Sequence, residues 1–381
     1  MTPIAEKIDL LFQPFAFKRG ITLRNSVAMA PMTTWSSNDD LTISDEEARY
    51  YEARVGSVGL VITGCSHVTP NGQGFTDEFA SYDDSFIPSL RKLADAAKSG
   101  GAPAILQIFH GGNKALAALV PNGDIVSAST MAIDATPFTP AAASRALTEA
   151  EIQGIIRDFG QATRRAIEAG FDGVELHGAH GFLLQNFLSP FFNQRTDQWG
   201  GSLENRLRFP LAVVAEVQRI IQEHATGPFL LGYRISPDEP QAGGLRIAEV
   251  YELLDRLIAL DIDYAHLSLP SVLTAKPVDD PDGQLVIAGI LARANGRLPL
   301  LAAGHIRTPA EARQALDLGL AVVAVGQALV VNPNWLELAT TGHEEAIEVA
   351  LQPSKVAEKR IPAKLWGIIQ VATGWFTVAA E

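Results

Sequence analysis

His177 and His180 stand three residues apart at the end of the apolar run "FDGVELH" (171–177). Two imidazoles at this spacing admit three readings: metal ligands, a structural pair, or two donors to one substrate oxygen. A metal would call for a nearby carboxylate, and none lies between them or directly after. Neutral imidazoles can each donate an N–H to an oxygen that gains negative charge, as an oxyanion hole does. This last reading fits the residues best, with no metal. Phe182 follows two positions later and has no hydroxyl, so it cannot donate a proton.

Other chemistry-bearing residues fall at the ends of similar runs. Arg234 closes "PFLLGYRIS" (228–236). A guanidinium there needs a partner, either an anionic ligand or a local carboxylate. Gln107, in "PAILQIFH" (103–110), offers a donor and an acceptor that could read the edge of a heterocycle. The loop "RTDQWGGSLENR" (195–206) suggests a turn with Ser202 as helix N-cap, and Asp197 and Arg206 could pair to hold it. Cys65 has only His67 as a cationic neighbour in sequence, which favours an inert buried thiol.

Eight runs rich in Val, Ile, Leu and Ala would have to position these groups. They are 26–31, 58–64, 103–110, 171–177, 228–236, 263–269, 298–304 and 321–326. Each is nearly continuous in apolar residues, as in strands covered on both faces. Amphipathic helical patterns alternate with them. One opens with Thr148 three residues before Glu151, the spacing of a capping box. Eightfold strand–helix alternation points to a single-domain (β/α)8 barrel spanning 1–381, with its site at the C-terminal strand ends. Residues 111–147 read as an excursion after strand three, and 340–381 as a C-terminal tail. Glycines after strands seven and eight, Gly304 and Gly326, fall where such barrels bind phosphate.

Composition limits the function classes. The chain has 381 residues, 47% of them hydrophobic, and a net charge of −13. With a pI near 5.1 and no Lys/Arg-rich run, its field repels nucleic acid and anionic lipid. A single cysteine excludes an intrachain disulfide and a Cys-ligated cluster. No basic-plus-apolar leader opens "MTPIAEKIDLLFQPF", and no window suits a membrane span, so the expectation is a cytoplasmic enzyme with a small-molecule partner.

The run "HGAHGFLLQNFLSPFFNQRTDQWGGSLENRLRF" resembles the signature of the Old Yellow Enzyme family, the FMN-dependent NAD(P)H:flavin oxidoreductases. "AMAPMTTW" (28–35), "AILQIFHGG" (104–112), "YRIS" (233–236), "LAAGHI" (301–306) and "AVVAVGQALVVNP" (321–333) match its other landmarks in order. The His pair resembles the bacterial branch. The resemblance implies FMN, with NADH or NADPH as electron donor. It implies that Pro31, Met32 and Thr33 line the flavin edge, that Gly64 sits close to the ring, and that Gln107 bonds its pyrimidine part. Arg234 would face the N1 and O2 positions, and the amides around Gly304 and Gly326 would hold the phosphate. His177 and His180 would bind the oxygen of an enone, quinone or nitro acceptor, with Trp35 as an aromatic wall. Three positions depart from the pattern. Phe182 stands where a proton-donating tyrosine is usual. Gln327 stands where an arginine usually follows the strand-eight glycine and meets the phosphate. Asn113 replaces a common arginine, although Lys114 follows.

Two rivals remain at this level. One is a flavin-binding barrel with weak or lost turnover. The other is a non-redox barrel acting on a phosphorylated ligand, which would need a lysine or carboxylate pair at the strand ends. The apolar stretch "IPAKLWGIIQVATGWFTVAA" (361–380) could cover its own barrel or a neighbouring subunit, leaving a homo-oligomer open.

Overall fold

A computed structural model describes residues 9–135 and 140–379. Readings that involve residues 1–8, 136–139 and 380–381, at the N-terminus, in the excursion and at the end of the tail, lie outside the described residues to that extent. The eight apolar runs form β1 (Val27–Met29), β2 (Leu60–His67), β3 (Ala104–Phe109) and β4 (Gly173–Gly178), then β5 (Leu230–Ile235), β6 (Tyr264–Ser268), β7 (Leu300–Ala303) and β8 (Val322–Val325). They close into one barrel in sequence order, every neighbouring pair parallel. Helices follow the strands and cover the outside, so apolar residues are needed on both strand faces.

Side chains alternate between the two faces of a strand. On the inner face, Leu60, Ile105, Leu230, Tyr264, Leu301 and Val322 form an apolar cluster with Phe17 and Leu23. The last two flank or belong to a short hairpin pairing Phe15 and Ala16 with Leu23 and Thr22. These barrel residues lie near the starts of their strands, so the hairpin plugs the N-terminal end. Gly232 makes room for the Tyr264 ring: a Cβ there would lie 2.1 Å from it. The same alternation then brings Gln107, Glu175, Arg234 and His266 inward, one or two steps further along. The interior therefore turns from apolar to polar towards the C-terminal strand ends.

The helix Glu149–Ala169 carries the capping box of Thr148 and Glu151, and Pro309–Asp317 carries one from Thr308 and Glu311. Ser202 caps Leu203–His224 by accepting from Asn205 N–H. The suggested Asp197–Arg206 pair does not form. Asp197 is closed off by its near neighbour Arg195 at 2.6 Å. Arg206, in the first helical turn, reaches instead to Glu249 and to the Leu188 carbonyl.

After β3 the chain builds a three-stranded sheet from Val126–Ser127, Met131–Ile133 and Ala142–Ala146. Near the C-terminus, the helix Ala363–Val371 is followed by a bridge between Leu351 and Val378. Among the described residues no helix is long and apolar enough to cross a membrane.

Candidate active site

A cavity of about 550 Å³ opens at the C-terminal strand ends, within the usual size of small-molecule and cofactor sites. Pro31, Met32, Thr33 and Trp35, from the loop after β1, line one side. That loop is held by Glu47 of the helix Asp45–Glu52, whose buried carboxylate accepts from the hydroxyls of Thr34 and Ser37. Burial pushes the Glu47 carboxyl up to about 7. Three lining residues adopt left-handed backbone, Trp35 (φ 46°), His180 (φ 59°) and His305 (φ 51°). This conformation costs a non-glycine residue about 1–2 kcal/mol, and such strain gathers where geometry serves function.

A connected charge layer underlies the cavity, with Gln107 and Arg234 lining it and Glu175 and His266 buried behind them. Glu175 is fully buried; it accepts from Gln107 Nε2 at 2.7 Å and pairs with His266 Nδ1 at 2.9 Å. Burial opposes the charge on Glu175, but His266, Arg234 and Gln107 outweigh it and hold the carboxyl below its usual range. Burial outweighs Glu175 at His266 and lowers its pKa, so His266 is a neutral ring donating Nδ1–H to an ionised carboxylate. Among the described residues Arg234 makes no direct ion pair. Its Nη2 donates to Ser268 Oγ at 3.1 Å, while its buried Nε has no partner. An orphaned donor on a buried guanidinium fits an acceptor atom of a bound ligand.

The two histidines meet beside this layer, ring centres 5.0 Å apart and nearly perpendicular. His177 Nδ1 accepts from Ala179 N–H at 3.3 Å, which puts the ring proton on Nε2. His180 Nε2 lies 2.6 Å from Ser268 Oγ. Burial lowers both imidazoles well below their usual pKa, and Arg234 and Lys114 add to this at each. His177 is buried and His180 is open to the cavity surface, so the burial effect is firmer at His177. The nearby cations favour neutrality at both. Lys114, from the start of the excursion, donates to the His180 carbonyl at 2.5 Å and supports its left-handed turn.

Phe182 packs edge-on against His177 at 4.8 Å and against Phe109 at 4.9 Å. Its ring reaches the cavity that the histidines line. Cys65 also lines it, with its thiol 3.6 Å from Thr33 Oγ1. Burial pushes that thiol well above its usual pKa, so it is not a ready nucleophile.

At the far end the cavity is lined by Gly304, His305, Arg307, Gly326 and Gln327. A Cβ on Gly304 would meet the Leu269 carbonyl at 2.3 Å, and one on Gly326 the Met32 sulfur at 3.0 Å. Three sequence expectations change here. Gly64 lies inside β2, not after it, and is not a lining residue. A Cβ there would sit 2.7 Å from the Met32 carbonyl, so its smallness serves packing against the loop after β1. Gln107 lies within its strand rather than at its end; it lines the cavity, and one of its amide N–H groups goes to Glu175, which leaves the carbonyl oxygen and the second N–H for a ligand. Gln327 turns its amide nitrogen to the Trp375 carbonyl at 2.5 Å, away from the phosphate role. His110, which closes the same apolar run as Gln107, does not line the cavity. It is buried, and its Nδ1 accepts from Gly112 N–H.

Sequence reasoning missed Glu175, His266, Ser268, Arg307 and Trp375. The first three were detectable, since Glu175 and His177 alternate on β4, as His266 and Ser268 do on β6. Arg307 follows Gly304 by three residues. Its half-buried guanidinium makes no hydrogen bond or ion pair among the described residues. Trp375 carried no signal beyond an apolar tail.

These features fit FMN: an orphaned guanidinium donor on Arg234 and a glutamine, Gln107, line one part of the cavity, and Arg307, whose guanidinium makes no hydrogen bond among the described residues, lines the glycine-bearing end. Residues 10–346 match the NADH:flavin oxidoreductase / NADH oxidase family. The chain is 44% identical over 370 residues to the "Probable NADH-dependent flavin oxidoreductase YqiG" of Bacillus subtilis (strain 168), covering 97% of this chain and 98% of that one. It is 38% identical to the NADH:fumarate oxidoreductase of Klebsiella pneumoniae (strain 342), over 94% of this chain but only 38% of that protein. Among solved structures, morphinone reductase in complex with tetrahydroNAD superposes with a TM-score of 0.74 at 28% identity, covering 89% of this chain and 92% of that one.

Proposed function

The chain belongs to the NADH:flavin oxidoreductase / NADH oxidase family, and from that premise we propose that it serves oxygen-bearing acceptors needing no proton at carbon, such as quinones or nitro compounds. The enzyme uses FMN with NADH or NADPH as donor. FMN, held by Arg234, Gln107 and the loop after β1, would supply the hydride-transfer chemistry between nicotinamide and acceptor; the protein supplies binding and electrostatics. Arg234, with a positive charge and an Nε–H that has no partner among the described residues, would hold the flavin and favour negative charge on it. Glu175 fixes Gln107 and balances Arg234 from below. His177, with its proton on Nε2, and His180 donate to the acceptor oxygen. Both are neutral, so they bind that oxygen without acting as acids. Arg307 takes up the phosphate charge that Gln327 does not meet. Two relatives are named for NADH, which favours that donor. The fumarate in one of those names belongs to a protein of which this chain spans 38%, so it does not fix the acceptor.

Phe182 is the observation that carries the acceptor class. Reduction of an activated alkene needs hydride at one carbon and a proton at the other, and a placed general acid contributes about 10²–10⁴-fold. Phe182 lies against His177 where such an acid would serve, and it has no proton to give. The protein should be yellow and bleach with NADH or NADPH without oxygen. Phe182→Tyr should then raise cyclohexenone turnover by about tenfold or more and leave quinone turnover nearly unchanged. Fast cyclohexenone reduction by the wild type, with no gain from tyrosine, would remove the basis for this acceptor class.

A further inference from the structure

The match to the family ends at residue 346, yet the cavity has a wall from beyond it. Trp375 lines the cavity, its indole 5.5 Å from that of Trp35 at an interplanar angle of 75°. Trp35 packs edge-on against Phe75 at 5.3 Å, and Phe75 against Phe182 at 6.0 Å. Four rings from four separate segments thus make one continuous aromatic rim, which ends at the residue beside the histidine pair.

The tail that brings Trp375 is fastened at several points. Gln327 donates to the Trp375 carbonyl. Leu351 N–H donates to the Thr377 carbonyl at 2.8 Å, and Ala379 N–H returns to the Leu351 carbonyl at 2.9 Å. Lys364 donates to Asp77 at 2.5 Å and to the Ser37 carbonyl at 3.1 Å. Ser37 belongs to the same loop as Trp35, so the two indoles are held in register from both sides. Phe376 is buried next to Trp375, 4.7 Å between ring centres, and keeps the neighbouring side chain facing the cavity.

We propose that Trp375 determines acceptor specificity. With Trp35 it forms a wall that admits flat ring acceptors and limits their width, selecting single-ring quinoid compounds over fused ones. This rests on the acceptor-site reading above. Gln327 is then a positioning residue that acts through the Trp375 backbone, which explains a glutamine where arginine is usual.

The test uses full-length FMN-loaded enzyme, with benzoquinone as the one-ring and menadione as the two-ring acceptor. An edge-on aromatic contact contributes about 0.5–1.5 kcal/mol beyond its buried area, roughly three- to tenfold in binding. Trp375→Ala should raise the KM for benzoquinone by about that factor, with a smaller change in kcat, and should shift kcat/KM towards menadione. Trp375→Phe should keep most of the wild-type preference. An unchanged KM and an unchanged preference in a Trp375→Ala protein that holds FMN and bleaches with NADH would overturn the proposal. If that variant fails to fold, Trp375→Leu, whose side chain is narrower than an indole and has no ring, should shift the preference in the same direction, and the absence of that shift is equally decisive. Binding of the same quinones to oxidised enzyme, read from flavin absorbance, reports on Trp375 without turnover. A wild type that binds them but does not reduce them would count against the acceptor reading alone.

Discussion

A short relay ties the cofactor side of the site to the acceptor side. Arg234 Nη2 donates to one lone pair of Ser268, whose hydroxyl lies 2.6 Å from His180 Nε2. If the hydroxyl proton points to that nitrogen, the His180 proton is on Nδ1, and the arginine charge polarises it through the serine. His177 reaches the same donor state by a different route, through the Ala179 amide. The pair should therefore act jointly on a ligand oxygen. Phenols added to oxidised enzyme should give a long-wavelength charge-transfer band. Replacing both histidines with alanine should abolish the band and leave FMN bound. A band that survives would assign the pair to structure instead.

The loop after β1 and the helix Asp45–Glu52 behave as one element, because Glu47 holds the loop that carries Trp35. Its folded-state pKa is raised from the usual 4.5 to about 7, so the folded protein holds this proton more tightly than the unfolded chain. Its contribution to stability is full below about pH 4.5 and is lost as pH rises through about 7. The shift corresponds to about 3 kcal/mol. In urea unfolding, Glu47→Gln should shrink the loss of stability between pH 5 and pH 8 by about that amount, and an identical pH slope in both proteins would disprove it. The sequence placed Thr33 and Trp35 just after strand one, but not the buried carboxylate that holds their loop. Glu47 sits in a run of acidic residues, Asp45, Glu46 and Glu47, and only packing distinguishes the buried one. Gly64 was misread, and the role of Gln327 went unseen, for a related reason: the atoms facing them come from Met32 and Trp375, distant in sequence. Trp375 itself lies in a tail with two possible destinations, and its packing on the chain's own barrel follows from contacts no local pattern encodes.

For the whole molecule, the barrel and its strand order were legible because eight doubly covered strands must be continuously apolar. Its tightness can be tested where the interior narrows. Gly232→Ala places a methyl against the Tyr264 ring, and such overpacking costs about 1–3 kcal/mol. Thermal unfolding should show that loss, and adding Tyr264→Leu should recover part of it; additive losses would mean the two positions do not share space. The barrel also divides the site by origin. Gln107, Glu175, Arg234 and His266 are borne by strands whose inner neighbours fix them. Trp35, Phe75, Phe182, Lys114 and Trp375 come from connecting segments and the tail. Exchanging a connecting segment would therefore change which acceptor fits, whereas replacing a strand-borne group would be felt with every acceptor at once.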